Sequence, residues 1–106
     1  MATFDERQKG FETKFKHDQE TSFKINARRN KLLGLWTAKQ LGLEGAAADD
    51  YAKSVVAADM ERPGDSDVLE KVLKDLTAKG IQTTEHRIRA EMDALTAEAR
   101  KQVTGT

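Results

Sequence analysis

From Phe23 onward the large apolar residues recur at helical spacing and are interrupted at turns. Ile25, Leu32, Leu33 and Trp36 fall near one face of a helix over about 22–41, which Gly42-Leu43 closes in the manner of a Schellman stop. A second helix is predicted over about 46–61, with Asp49 and Asp50 in its first turn where the dipole favours anions. It buries Tyr51, Val55, Val56 and Met60 in part, and Arg62-Pro63-Gly64 ends it. A third helix, over about 66–79, opens on an Asp67/Glu70 capping box or on Asp65 or Ser66 as cap. Val68, Leu69, Val72, Leu73 and Leu76 form its stripe, and Gly80 brings Ile81 back against Leu76. Asp67–Lys71, Glu70–Lys74 and Asp75–Lys79 are i,i+4 pairs worth a few tenths of a kcal/mol each, about. The fourth helix, over about 84–103, carries Ile88, Met92, Leu95 and Ala99 at spacings of four, three and four. Four stripes joined by short loops predict an all-α, antiparallel four-helix bundle over residues 22–106. Gly34 costs about 1 kcal/mol against Ala inside a helix, so its place beside Leu33 and Trp36 predicts a close helix crossing near the indole.

Residues 1–21 follow a different pattern. No Leu, Ile or Val occurs before Ile25, and Phe4, Phe11 and Phe15 stand seven and four residues apart among mostly polar neighbours. In a helix the three rings share one face. Nucleating such a helix in isolation costs on the order of 4 kcal/mol, and burying three Phe returns roughly 5–9 kcal/mol only against a partner. The pattern therefore predicts a mobile N-terminal arm that becomes helical in a groove, the alternative being that the three rings fold back onto the bundle.

Charge divides the chain in the same place. Residues 1–31 hold eight basic and five acidic side chains, whereas the remainder holds ten and thirteen, so neutrality is only an average. The run Lys24-Ile-Asn-Ala-Arg-Arg-Asn-Lys31 reads as a solvated helix face. Its functional alternative is contact with an anion or nucleotide through Arg28, Arg29 and Lys31. Overall balance argues against a protein whose whole surface is basic for nucleic acid, and no stable nucleic-acid complex is expected. The 106 residues contain no cysteine, which excludes disulfides and thiolate zinc sites. His17 and His86 each lie beside acids without a second His at i+4, so no metal site is predicted. No phosphate loop, nucleophile elbow or convergent acid/base pair is present, which predicts a non-enzyme without catalytic residues or cofactor. No run approaches the ~18 apolar residues of a membrane helix, and Met1-Ala-Thr-Phe4 opens no signal peptide. A cytoplasmic protein that does not enter the membrane directly, and a monomer when free, is expected.

Three blocks resemble the zeta subunit of the alphaproteobacterial ATP synthase: Phe4-Asp-Glu-Arg-Gln-Lys9, Phe11-Glu-Thr-Lys-Phe15 and Ala27-Arg-Arg-Asn-Lys-Leu-Leu-Gly-Leu-Trp36. Tyr51-Ala-Lys-Ser-Val-Val-Ala-Ala-Asp59, Pro63-Gly-Asp-Ser-Asp67, Asp75-Leu76 and Lys79-Gly80 extend the likeness over nearly the whole chain. The Ala27–Trp36 block is its most specific part. Departures are Glu61-Arg62, where the family often has two acids, and a variable Thr/Ala-rich C-terminus. The resemblance implies an inhibitor of the F1 sector whose partners are the F1 α, β and γ subunits. It places the protein peripheral to the inner membrane through that sector. In the family, a four-helix bundle carries a mobile N-terminal segment that inserts at a catalytic α/β interface, turns helical and blocks hydrolysis-driven rotation. Carried onto this chain, the inhibitory segment spans roughly Ala2 to Gln19. Phe4, Phe11 and Phe15 would be its apolar anchors, and Asp5, Glu6, Arg7, Lys9 and Lys14 its polar contacts. The competing reading is a small helical module for adenine nucleotide or RNA, using the basic face around Arg28 and Arg29.

Overall fold

The computed structural model describes residues 4–62 and 64–105, with side chains described from Glu20 onward. Helices α1 (Phe4–Gln40), α2 (Ala46–Glu61), α3 (Asp65–Ala78) and α4 (Glu85–Thr104) form an antiparallel four-helix bundle. No strand occurs among the described residues.

The largest departure from expectation is at the start of α1. The helix expected to begin near Ser22 begins at Phe4 and runs without interruption to Gln40. Neither glycine nor proline occurs between Phe11 and Leu33, so nothing in the chain stops the helix there. Once residues 22–40 are helical, each residue added N-terminally is an extension, and the nucleation cost of an isolated arm does not arise. The 37 residues of α1, at about 1.5 Å each, give a rod of about 55 Å. The molecule measures 65 × 25 × 24 Å.

Two loops close as their sequences require. At the end of α1, Leu43 N–H donates to Ala38 O (2.8 Å) and Gly42 N–H to Lys39 O (3.1 Å), with Gly42 at φ 79°. At the end of α3, Ile81 N–H donates to Leu76 O (3.0 Å) and Gly80 N–H to Thr77 O (2.9 Å). These are Schellman pairs, in which the left-handed residue turns the chain so that two orphan carbonyls are satisfied. Thr84 caps α4, its Oγ1 accepting from Arg87 N–H at 3.2 Å. The capping expected for α3 does not form. Gly64 occupies the cap position without a side-chain bond, because Asp65 is already the first helical residue and its carboxylate is engaged across the bundle.

The core consists of Leu33, Val55, Val68, Leu69, Val72, Leu76, Ile88 and Met92, with Trp36, Leu41, Tyr51, Leu73, Ile81 and Leu95 packed partly against it. Met60, expected to be partly buried, is instead exposed: α2 ends one residue later. Gly34 does mark a close crossing, but its neighbour is α2. A Cβ built on Gly34 would stand 2.5 Å from Ala52 Cα.

The ion pairs expected along α3 are replaced by one of opposite order. Lys71 Nζ donates to Asp75 Oδ2 at 3.1 Å, and Tyr51 Oη donates to the same oxygen at 2.7 Å. Lys71 Nζ also lies 5.3 Å from the Tyr51 ring centroid. Asp75 thus ties α2 to α3. Burial, then the hydrogen bond and charge of Asp75, push the Tyr51 phenol far above its ordinary value.

Candidate functional site

Burial along the described part of α1 begins at Ile25. Glu20, Ser22, Phe23 and Lys24 are exposed and Thr21 is half-buried, so the helix leaves the cover of its neighbours at this end. The expected anchors Phe4, Phe11 and Phe15, with Asp5, Glu6, Arg7, Lys9 and Lys14, belong to α1 but lie outside the residues whose side chains are described. The described features nearest to them along α1 lie from Glu20 onward.

The first feature is an inward cation. Arg29 is only 4 % exposed; its Nη2 donates to Asp65 Oδ1 at 2.7 Å and its Nε to Asn30 Oδ1 at 3.0 Å. A guanidinium taken from water must find carboxylate or carbonyl acceptors, and Asp65 at the start of α3 supplies one. The hydrogen bond from Arg29 holds the Asp65 carboxyl below its ordinary value against the opposing effect of partial burial, with the charges of Arg29 and Arg89 adding to the lowering. The same bond fixes the α3 start against α1 close to where α1 emerges.

Arg28, Arg29 and Lys31 therefore do not make one basic surface. Arg28 and Lys31 are exposed, whereas Arg29 points into the bundle. In a helix these positions differ by about 100° per residue, which puts Arg29 in line with Ile25 and Leu33, four residues to either side. Both of those are buried. Lys24, Arg28, Lys31 and Lys39 are the exposed cations on this helix after Glu20, and no acid interrupts the chain from Thr21 to Leu43.

The second feature is a cleft between α1 and α2 beside the exit. About 300 Å³ is lined by Phe23, Asn26, Ala27, Asn30, Val56 and Met60, with Asp59 at its edge. It adjoins a second cleft of about 470 Å³, which shares Val56 and Met60 and reaches Lys31, Asp49 and Lys53. Asn30 is fully buried, and its Nδ2 has no hydrogen-bond partner. No group of three or more His, Cys, Asp or Glu that could hold a metal ion occurs among the described residues. Nor is any described helix long and apolar enough to cross a membrane.

Against known proteins, the sequence profile of the ATPase inhibitor subunit zeta matches residues 1–102, the segment N-terminal to the exit included. The chain belongs to the ATPase inhibitor subunit zeta family. This places it among regulatory proteins associated with ATP synthase rather than among catalysts. A solution NMR structure is similar at 47 % identity with a TM-score of 0.68, over 78 % of this chain and 94 % of that one. No curated protein matches the chain. Sequence reasoning missed two features of this end of the bundle, the inward Arg29 and the Phe23–Met60 cleft. The first had a signal, a cation spaced by four from two core positions. The second arises from where α2 happens to end and had none.

Proposed function

We propose that this member of the zeta family inhibits the F1 sector of ATP synthase by inserting its N-terminal segment at a catalytic α/β interface, near the rotor, and so blocks hydrolysis-driven rotation. The observations that support the reading are that the family match includes residues 1–102 and that α1 continues N-terminally to Phe4, while among the residues with described side chains its burial begins only at Ile25. In this reading Phe4, Phe11 and Phe15 are the apolar anchors and Asp5, Glu6, Arg7, Lys9 and Lys14 the polar contacts. Extending an existing helix avoids nucleation, and Gly10 opposes it by only about 1 kcal/mol. More of the roughly 5–9 kcal/mol from burying three Phe is then left for binding. A helix held in a groove that exists in only some states of a turnover cycle stabilises those states and must be expelled before rotation resumes. The bundle stays outside and raises the local concentration of the arm, keeping the protein peripheral to the membrane through F1. The alternative use of Arg28 and Arg29 as one nucleotide or RNA face loses support, because Arg29 is engaged with Asp65.

Purified F1 assayed for ATP hydrolysis with the full chain, and with a chain lacking residues 1–18, tests the proposal. The full chain is expected to inhibit, while the shortened one keeps its helical circular dichroism and cooperative melting but does not inhibit. Inhibition by the shortened chain would refute the role of the arm.

A further inference from the structure

Where α1 leaves the bundle it passes an apolar shoulder. Phe23 on α1 and Met60 on α2 are 62 % and 65 % exposed, and they are the exposed large hydrophobic residues of the described surface. They flank the cleft floored by Ala27, Asn30 and Val56. Side chains of this kind standing together beside a concave floor differ from singly scattered surface hydrophobics, and such patches mark interaction sites. Asn30, which lines this floor, is fully buried, and its Nδ2 is a donor without an acceptor.

The α1 side of the shoulder is uniformly basic. Lys24, Arg28 and Lys31 are exposed, and no Asp or Glu lies between Thr21 and Leu43 to neutralise them. The surface that fits here is therefore an apolar projection with carboxylates on the side facing α1. Position along the rod identifies whose surface that is. Phe23 follows Phe15 by eight residues, about 12 Å of helix, so a partner that grips the arm as far as Phe15 and extends about 12 Å further along α1 reaches the shoulder.

We infer that the Phe23–Met60 shoulder is a second contact between the bundle and the F1 sector, taking an apolar side chain from an acidic rim of the groove that admits the arm. The inference rests on the reading of the arm given above. It makes the bundle a contributor to affinity as well as a support for the arm.

The test uses the full chain and purified F1, with binding kinetics and ATP hydrolysis measured separately. Phe23→Ser with Met60→Ser should leave helicity and melting unchanged, because both side chains are mostly in water. Affinity for F1 should weaken roughly tenfold or more, mainly through faster dissociation. Arg28→Glu with Lys31→Glu probes the same surface without touching the core; it should slow association and remove the salt dependence of the association rate. Wild-type affinity in both variants would overturn the shoulder while leaving inhibition by the arm intact. Weakened binding by the variants to an F1 that the wild type binds but does not inhibit would support the shoulder and refute the arm. A wild type that does not bind F1 at all overturns both. A free chain that sediments as a dimer and becomes monomeric on Phe23→Ser with Met60→Ser would assign the shoulder to a second copy and overturn the inference.

Discussion

Replacing Gly34 by Ala sets two opposed effects against each other at one atom. In an isolated helix the change favours the folded state by about 1 kcal/mol. Here the added Cβ would stand 2.5 Å from Ala52 Cα, 3.0 Å from Ala52 Cβ and 3.3 Å from Ala52 O. Two of these three neighbours are backbone atoms, so no rotamer change relieves the clash and α1 and α2 must move apart by something like 1 Å. Overpacking of this kind costs typically 1–3 kcal/mol and occasionally more, and the clash with backbone puts Gly34 at or above the upper end. The expected net result is a loss of about 2 kcal/mol or more, which for a domain of this size lowers Tm by roughly 10 °C or more. Thermal and urea unfolding followed by circular dichroism read it directly. Adding Ala52→Gly should recover only part of the loss, since that change removes the methyl group of residue 52 and leaves its backbone in the way. A Tm at or above wild type for Gly34→Ala, or full recovery in the double variant, would show that the helices are not held this closely.

Two further outcomes follow from the polar ties. Asp65→Ala leaves the Arg29 guanidinium buried without its carboxylate and should cost about 1–3 kcal/mol in urea unfolding at neutral pH. Because the folded Asp65 carboxyl titrates below its ordinary value near 3.8, its contribution is present above that value and is lost as pH falls through the lower folded one. The gap between wild type and Asp65→Ala should therefore narrow below about pH 4, and a gap constant down to pH 2 would contradict the pairing. Tyr51 is the single tyrosine of the chain, so ultraviolet titration reports it alone. The phenol should ionise well above its ordinary value of about 10, with the associated stability present below that value and lost as pH rises. Tyr51→Phe should cost about 0.5–1.5 kcal/mol. An ordinary midpoint in the folded protein would refute the bond to Asp75.

Much of the bundle was legible because local chemistry and tertiary structure agree in it. Gly42 and Gly80 end helices where a left-handed residue followed by an apolar one should. Gly34 was recognisable as a crossing because a helix interior tolerates glycine poorly without reason, although its partner Ala52 lies on another helix and had no sequence signal. Asp67–Lys71 and Asp75–Lys79 gave way because Lys71 and Asp75 pair with each other and a hydroxyl from α2 shares that carboxylate, to which spacing within one helix is blind; nothing in the structure explains the absence of Glu70–Lys74. Arg29 was assigned to the surface with its neighbours by charge alone. Its spacing of four from Ile25 and Leu33 pointed inward, and burial follows the spacing. Within the candidate site, Phe4, Phe11 and Phe15 were visible as a pattern, whereas Phe23 and Met60 became a pair only through the antiparallel pairing of α1 and α2.

The continuity of α1 from Phe4 to Gln40 has a mechanical meaning. A stave of the bundle and the segment beyond it belong to one helix. Each residue inserted near Thr21 would turn one end relative to the other by about 100° and displace it by about 1.5 Å. Whatever grasps the far end thereby sets the azimuth of the bundle, and a push on that end arrives at the stave as axial load.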